Sequence, residues 1–324
     1  MSKILIVGSG AFGSALTQVL VSNSHIVDVY GINENELNDL KENQKNKKYF
    51  QDQKLDLPIN NTYLDINLAL QNQYDFIIIA IPSFAIKNFV DNIKIFNLSK
   101  TIVVNAAKGL NLETKSSWCD YIKQNLKIKA LVGLVGPSFA IDVFLKKPTV
   151  VNLVGNNSNA LIKVKEEFEN NWFKCILSKQ FDAANYISCF KNALAIGCGI
   201  IYGLQNSNNS LVAFLTKGIN EMQLILEKIF HKKVNPLEYF FIGDTILTCT
   251  DQKSRNFSFG LLIAQQGVQE ALVNKQQTIE GLNNIKVIYE IIKTNQISAP
   301  LFQNLYKVII NALNPQDLFD KSFC

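Results

Sequence analysis

Along the first half of the chain, short unbroken apolar runs alternate with longer stretches whose apolar residues recur every three or four positions. The runs Ile4–Val7, Ile26–Tyr30, Phe76–Ala80, Ile102–Asn105, Ala130–Val135 and Thr149–Leu153 are rich in β-branched residues. Such runs suit strands covered on both faces, as in a parallel sheet. Ala11–Ser22 and Glu113–Asn125 carry helical periodicity between them. Strand, helix, strand in repetition predicts a doubly wound α/β sheet. From about residue 181 the helical period takes over, in Asn185–Tyr202, Leu211–Phe230, Phe259–Val273, Ile285–Thr294 and Pro300–Asn311. The expectation is an α/β domain over 1–180 followed by an all-α domain over 181–324. The Asn/Lys-rich stretch Lys41–Lys48 reads as a solvated helix end or loop.

Composition narrows the class. Hydrophobic residues make up 48% and charged residues 18% of 324 positions, values of a globular chain long enough for two cores. The net charge of +5 suits small anionic substrates and is too weak to argue for nucleic acid. No apolar stretch reaches about 18 unbroken residues, so no membrane span is expected. The N-terminal apolar run is too short for a signal peptide. Cys119, Cys175, Cys189, Cys198, Cys249 and Cys324 form no C-x-x-C pair and read as reduced thiols of a cytoplasmic protein. With only His25 and His231, a His-rich metal site is not expected, and lysines become the candidate acids.

Gly8-Ser9-Gly10-Ala11-Phe12-Gly13 fits G-x-G-x-x-G, follows a predicted strand and opens a predicted helix. That context makes it a dinucleotide-binding fingerprint. Gly8 allows the turn, Gly10 lets the backbone approach a pyrophosphate, and Gly13 lets helix and strand pack closely. The α/β domain is thus expected to be Rossmann-like. The second strand ends Tyr30-Gly31-Ile32-Asn33, with neither the acid that suits NAD nor the base that suits NADP, so NAD or NADP stays open. With no Arg or Lys at its tip to meet a 2′-phosphate, NADH is expected to serve at least as well as NADPH.

Lys108, in Ala107-Lys108-Gly109-Leu110, falls just past the carboxyl end of a strand, where ligands bind in open α/β sheets. Gly136-Pro137-Ser138-Phe139-Ala140 follows another strand and can offer backbone N–H groups and a hydroxyl. Lys191 lies in the otherwise apolar Cys189–Gly199 segment, where desolvation makes it a candidate acid/base. Asp244 is placed to pair with it or to act as an N-cap. Ser254-Arg255-Asn256 combines a guanidinium, a hydroxyl and an amide, a set suited to phosphate.

Taken in order, these segments resemble the bacterial-type NAD(P)-dependent glycerol-3-phosphate dehydrogenases. Ile81-Pro82-Ser83, Phe190-Lys191-Asn192-Ala193, Gly243-Asp244, Leu247-Thr248-Cys249-Thr250 and Glu280-Gly281 extend the match over nearly the whole chain. The resemblance implies reduction of dihydroxyacetone phosphate to sn-glycerol 3-phosphate for glycerophospholipid synthesis, by a cytoplasmic homodimer. It implies Lys191 as proton donor, held by Asp244 and Thr248, and Lys108 as a second contact to substrate and cofactor. Gly136, Ser138, Ser254, Arg255 and Asn256 correspond to substrate contacts. Gly8, Gly10, Ala11, Phe12, Gly13, Ala140, Arg255, Thr278 and Glu280 correspond to cofactor contacts. Ile32, Leu211 and Leu282 depart from the pattern, standing where a polar or basic residue, a basic residue and an aromatic are usual. Two alternatives share the expected architecture: a ketopantoate or β-hydroxyacid reductase, and a non-catalytic dinucleotide sensor.

Overall fold

The computed structural model describes residues 1–107, 109–111, 114, 116–275 and 278–324. The chain divides into two units, one holding Met1–Asn111 and Ser116–Phe181, the other Asp182–Cys324.

The first unit is built on an eight-stranded sheet. Its strands are β1 (Lys3–Val7), β2 (Ile26–Tyr30), β3 (Asn61–Tyr63), β4 (Phe76–Ile79), β5 (Leu98–Asn105), β6 (Ile128–Val135), β7 (Thr149–Val154) and β8 (Phe173–Ser178), in the order β3-β2-β1-β4-β5-β6-β7-β8. β1 pairs in parallel with both β2 and β4. The chain runs outward from β1 to β3 and then returns to the other side of β1. That reversal is the topological switch point, where ligands bind at the strands' carboxyl ends. The unbroken runs of β1 and β4 are buried throughout, because helices cover both faces.

The parallel expectation fails at one place. β7 runs antiparallel to β6, and β8 then pairs in parallel with β7. The only helix between β6 and β7 is the five-residue Ala140–Phe144. No crossover helix carries the chain back along the sheet, so β7 starts where β6 ends and must reverse.

The second unit is helical. Phe181–Gln205 is long and apolar enough by composition to cross a membrane, but 83% of its most apolar window is buried inside the protein, as a core helix requires. Asn208–Phe230 follows, capped by the Ser207 side chain. The expected helix Phe259–Val273 is two helices, Arg255–Gln266 and Val268–Asn274, because Gly267 between them takes φ +82°. The helix expected over Glu113–Asn125 is Trp118–Asn125, started by the Ser117 cap on the Asp120 amide; Glu113 lies outside the described residues.

Candidate active site

Helix α1 (Ala11–Ser22) begins directly at the glycine turn. Gly8 takes φ +119°, and a Cβ there would lie 2.7 Å from the Ala80 carbonyl oxygen. A Cβ on Gly13 would overlap the Gly8 carbonyl. Gly10 differs: a Cβ there would meet nothing within 4 Å, and no side chain caps the helix at this residue. The turn therefore leaves open space in front of the first-turn amides of Ala11, Phe12 and Gly13, which have no acceptor within the helix. That arrangement fits a pyrophosphate.

A cavity of about 430 Å³ opens beside the turn. Gly8, Ser9 and Gly10 form one wall, Tyr30–Asn33 and Glu36 a second, and Pro82, Phe84 and Asn88 a third. Ile32 and Phe84 are 89% and 82% exposed, apolar surfaces suited to a planar base. Asp28, inside β2, is fully buried and accepts from Asn60 and the Tyr74 hydroxyl, so it is structural.

Sequence reasoning missed what lies beneath this cavity. Lys41–Lys48 is not simply solvated. Asn46 is buried, its amide donating to the Ser9 carbonyl at 2.8 Å and the Ser14 hydroxyl at 2.9 Å. Lys48 pairs with Glu36 at 2.7 Å, and the Ser9 hydroxyl donates to the same carboxylate at 2.7 Å. The signal available was the pair of acids Glu34 and Glu36 in the first turn of helix α2 (Glu34–Glu42), a pattern usually put down to the helix dipole.

Of the other residues expected in this unit, Lys108 lies outside the described residues. Gly136 takes φ +143° just past β6, where a Cβ would lie 3.1 Å from the Val151 Cα. Ser138 is buried, its hydroxyl turned to the Gly136 carbonyl at 3.0 Å, and Ala140 opens the helix Ala140–Phe144.

In the second unit Lys191 is 3% exposed, inside the core helix and between the fully buried Phe190 and Ala193. Its Nζ lies 2.6 Å from Asp244 Oδ1 and donates to Thr248 Oγ1 at 3.1 Å. Thr248 in turn donates to the Asp244 carbonyl at 2.6 Å. Asp244 is the first residue of the helix Asp244–Thr250, and its carboxylate faces Lys191. Asp244 and Thr248, one helical turn apart, thus present a carboxylate and a hydroxyl to one ammonium.

Ser254 caps the helix Arg255–Gln266. Arg255, exposed at its first position, lines an open cleft with Lys253 and Lys275. Asn256 accepts from the Gly281 amide at 2.9 Å, and Asn192, next to Lys191, donates to Glu280 at 3.1 Å. Asn192, Asn256, Glu280 and Gly281 thus form one hydrogen-bonded cluster, whereas Thr278 is exposed on a neighbouring groove.

The histidines stand apart from both clusters. The His25 ring accepts from the Ser2 amide and pairs with Glu167 at 3.1 Å, and His231 ends a helix with φ +52°. Among the described residues, no group of three or more His, Cys, Asp or Glu is placed to hold a metal.

A Rossmann-like sheet with an open glycine turn, in one chain with a helical unit that buries a Lys–Asp pair, defines a nicotinamide-dinucleotide oxidoreductase. Models of the NAD-dependent glycerol-3-phosphate dehydrogenase N-terminus and C-terminus match residues 3–161 and 181–320. The chain belongs to this family of NAD(P)-dependent oxidoreductases acting on a CH–OH group. It is 36% identical to the glycerol-3-phosphate dehydrogenase [NAD(P)+] of Malacoplasma penetrans, covering 99% of this chain and 96% of that one. It superposes on the glycerol-3-phosphate dehydrogenase of Coxiella burnetii with a TM-score of 0.86 at 27% identity, covering 99% and 98% of the two chains. A ketopantoate reductase of Ralstonia eutropha, covering 99% and 100%, shares the fold alone, at a TM-score of 0.59 and 12% identity.

Proposed function

We propose that the chain reduces dihydroxyacetone phosphate to sn-glycerol 3-phosphate, with Lys191 as the proton donor. The observation that carries this reading is the buried ammonium of Lys191, clamped by Asp244 and Thr248. In this reading residues 1–180 take the dinucleotide and 181–324 the substrate.

When bound, NAD(P)H supplies the hydride to the ketone carbon. Gly8, Gly10, Ala11, Phe12 and Gly13 hold its pyrophosphate, with Ala140, Thr278 and Glu280 as further contacts. Lys191 holds a proton at Nζ and delivers it to the carbonyl oxygen as negative charge develops there. Asp244 and Thr248 fix the direction in which that proton points. Lys108 is assigned as a second contact to substrate and cofactor, and Gly136 and Ser138 as further substrate contacts. Arg255, with Ser254 and Asn256, holds the substrate phosphate, so binding energy far from the reacting carbon aligns the ketone.

The product is a glycerol phosphate backbone, which makes glycerophospholipid precursor synthesis the role we assign, in the cytoplasm. All six cysteines are free, and five are buried, which supports a reducing compartment. A homodimer is the proposed assembly, supported by the exposed apolar side chains Val212, Leu237 and Val273 of the second unit.

The test is NAD(P)H oxidation with dihydroxyacetone phosphate, with ketopantoate and with no substrate. Turnover on the phosphorylated ketone alone is expected. Preference for ketopantoate would transfer the assignment to that class, and no turnover on either would support a dinucleotide sensor.

A further inference from the structure

The tip of β2 carries no acid, yet the structure places one against the same cavity from a different element. Glu36 stands in the first turn of α2, 7% exposed, with its side chain lining the cavity beside the glycine turn. The Asn33 side chain accepts from the Glu36 amide at 3.2 Å and so fixes where the helix begins. Glu36 Oε2 accepts from the Ser9 hydroxyl at 2.7 Å, tying α2 to the middle of the turn. Its Oε1 accepts from Lys48 Nζ at 2.7 Å and from the Tyr49 hydroxyl at 3.3 Å. A carboxylate offers about four lone-pair sites, so three partners leave room for one more donor.

We propose that Glu36 is the residue that selects NAD over NADP, accepting a hydrogen bond from the adenosine ribose and rejecting a 2′-phosphate. The assignment rests on the reading that the adenosine half of the cofactor lies in this cavity. A ribose hydroxyl can donate to the remaining lone pair, a charge-assisted bond. A 2′-phosphate has nothing to donate and brings close to two negative charges against a carboxylate that water barely reaches. The cation best placed to offset it, Lys48, is already held by Glu36. That hydrogen bond and charge also keep the Lys48 ammonium above its ordinary pKa. Tyr30–Asn33 add no Arg or Lys. Ile32, exposed on the cavity wall, offers a base a surface and a phosphate nothing.

Direct binding of NADH and NADPH, without substrate, tests this by fluorescence titration of the parent, Glu36→Gln and Lys48→Met. The parent is expected to bind NADH at least tenfold tighter than NADPH. Glu36→Gln keeps the shape, removes the repulsion and frees Lys48, so the ratio should fall at least fivefold, mainly through tighter NADPH. Lys48→Met leaves the carboxylate without its cation and should widen the ratio, which keeps the test alive if Glu36→Gln does not fold. A brace with no part in recognition would raise both dissociation constants together; a ratio constant within twofold across the variants, or a parent that prefers NADPH, overturns the assignment. Binding of neither nucleotide by the parent would overturn the placement of the cofactor as well. Adenosine 2′,5′-bisphosphate against 5′-AMP as competitors should repeat the pattern and confine it to the ribose.

Discussion

At the scale of single residues the chemistry rests on one buried ion pair. Lys191 was legible because a lysine among Cys189–Gly199 is out of place unless something meets it, and Asp244 does, at 2.6 Å. Removing the lysine alone takes away the cation that balances a buried carboxylate, a cost of about 3–5 kcal/mol in such pairs. Lys191→Met should therefore melt well below the parent, and Lys191→Met with Asp244→Asn should recover much of the loss. In the double variant single-turnover NADH oxidation should still be slower by roughly 10²–10⁴-fold, the usual worth of a positioned acid, while NADH binding survives. A double variant within tenfold of the parent would place the acid elsewhere, with Lys108 the next residue to test. Arg255 is exposed, so Arg255→Ala should leave stability unchanged and raise the KM for dihydroxyacetone phosphate. A bidentate phosphate contact is worth about 2–4 kcal/mol, or some 30- to 1000-fold in kcat/KM. Equal losses on unphosphorylated dihydroxyacetone would give Arg255 another role. Glu36 and Asn46 were not legible, because an acid in a first helical turn and a polar Asn/Lys stretch have ordinary explanations. Only the fold brings them under the glycine turn.

At the scale of elements, the strands that read clearly are those buried on both faces. β3 and β8 are edge strands, one of three half-buried residues and one with a mixed burial pattern, so neither stands out as an apolar run. The reversal at β7 depends on the length of the connection before it, not on the strand itself. The split at Gly267 was missed because the helical period continues across it. Close approach between helices is equally hidden in sequence. The helices Phe181–Gln205 and Arg255–Gln266 meet at Gly199 and Gly260, where a Cβ on Gly260 would overlap the Ile196 carbonyl and lie 2.8 Å from the Gly199 Cα. Backbone atoms cannot step aside as a side chain can. Gly260→Ala is therefore expected to cost about 3 kcal/mol or more, read as a lower denaturant midpoint. Gly10→Ala makes the opposite case. The added methyl meets no protein atom, so stability should hold within about 0.5 kcal/mol. NADH affinity should nevertheless fall at least tenfold, because the methyl occupies the pyrophosphate's approach. Unchanged affinity would mean that no ligand uses that opening.

At the scale of the whole molecule, stability against pH is set by carboxylates shifted in opposite directions. Asp56 is held below the usual carboxylate range by hydrogen bonds from Lys146, Ser22 and Gln18 that outweigh its burial, and Glu227 chiefly by the Val234 amide. Their contributions are present above the ordinary carboxylate pKa and are lost as pH falls through the lowered values. Glu221 acts the other way. It is 3% exposed, between the helix Asn208–Phe230 and the start of Pro300–Ile309, and accepts from the Leu301 and Phe302 amides at 3.0 and 3.3 Å. Burial raises its pKa above 4.5 even though those amides and Lys217 favour the charged form. Between the ordinary value and the raised one, the folded chain holds a proton that the unfolded chain has released. Its contribution is therefore full below that window and is lost as pH rises through it. Glu221→Gln, which keeps an acceptor oxygen for the amides, has no such window. The stability of Glu221→Gln relative to the parent should climb as pH rises from about 4.5 and level off above the raised pKa, whatever the fixed offset from exchanging the group. Chemical denaturation of both proteins at half-unit steps from pH 4 to 8 measures that difference directly. A difference that is flat, or that declines with pH, would mean the carboxylate is as well solvated in the folded chain as in the unfolded one.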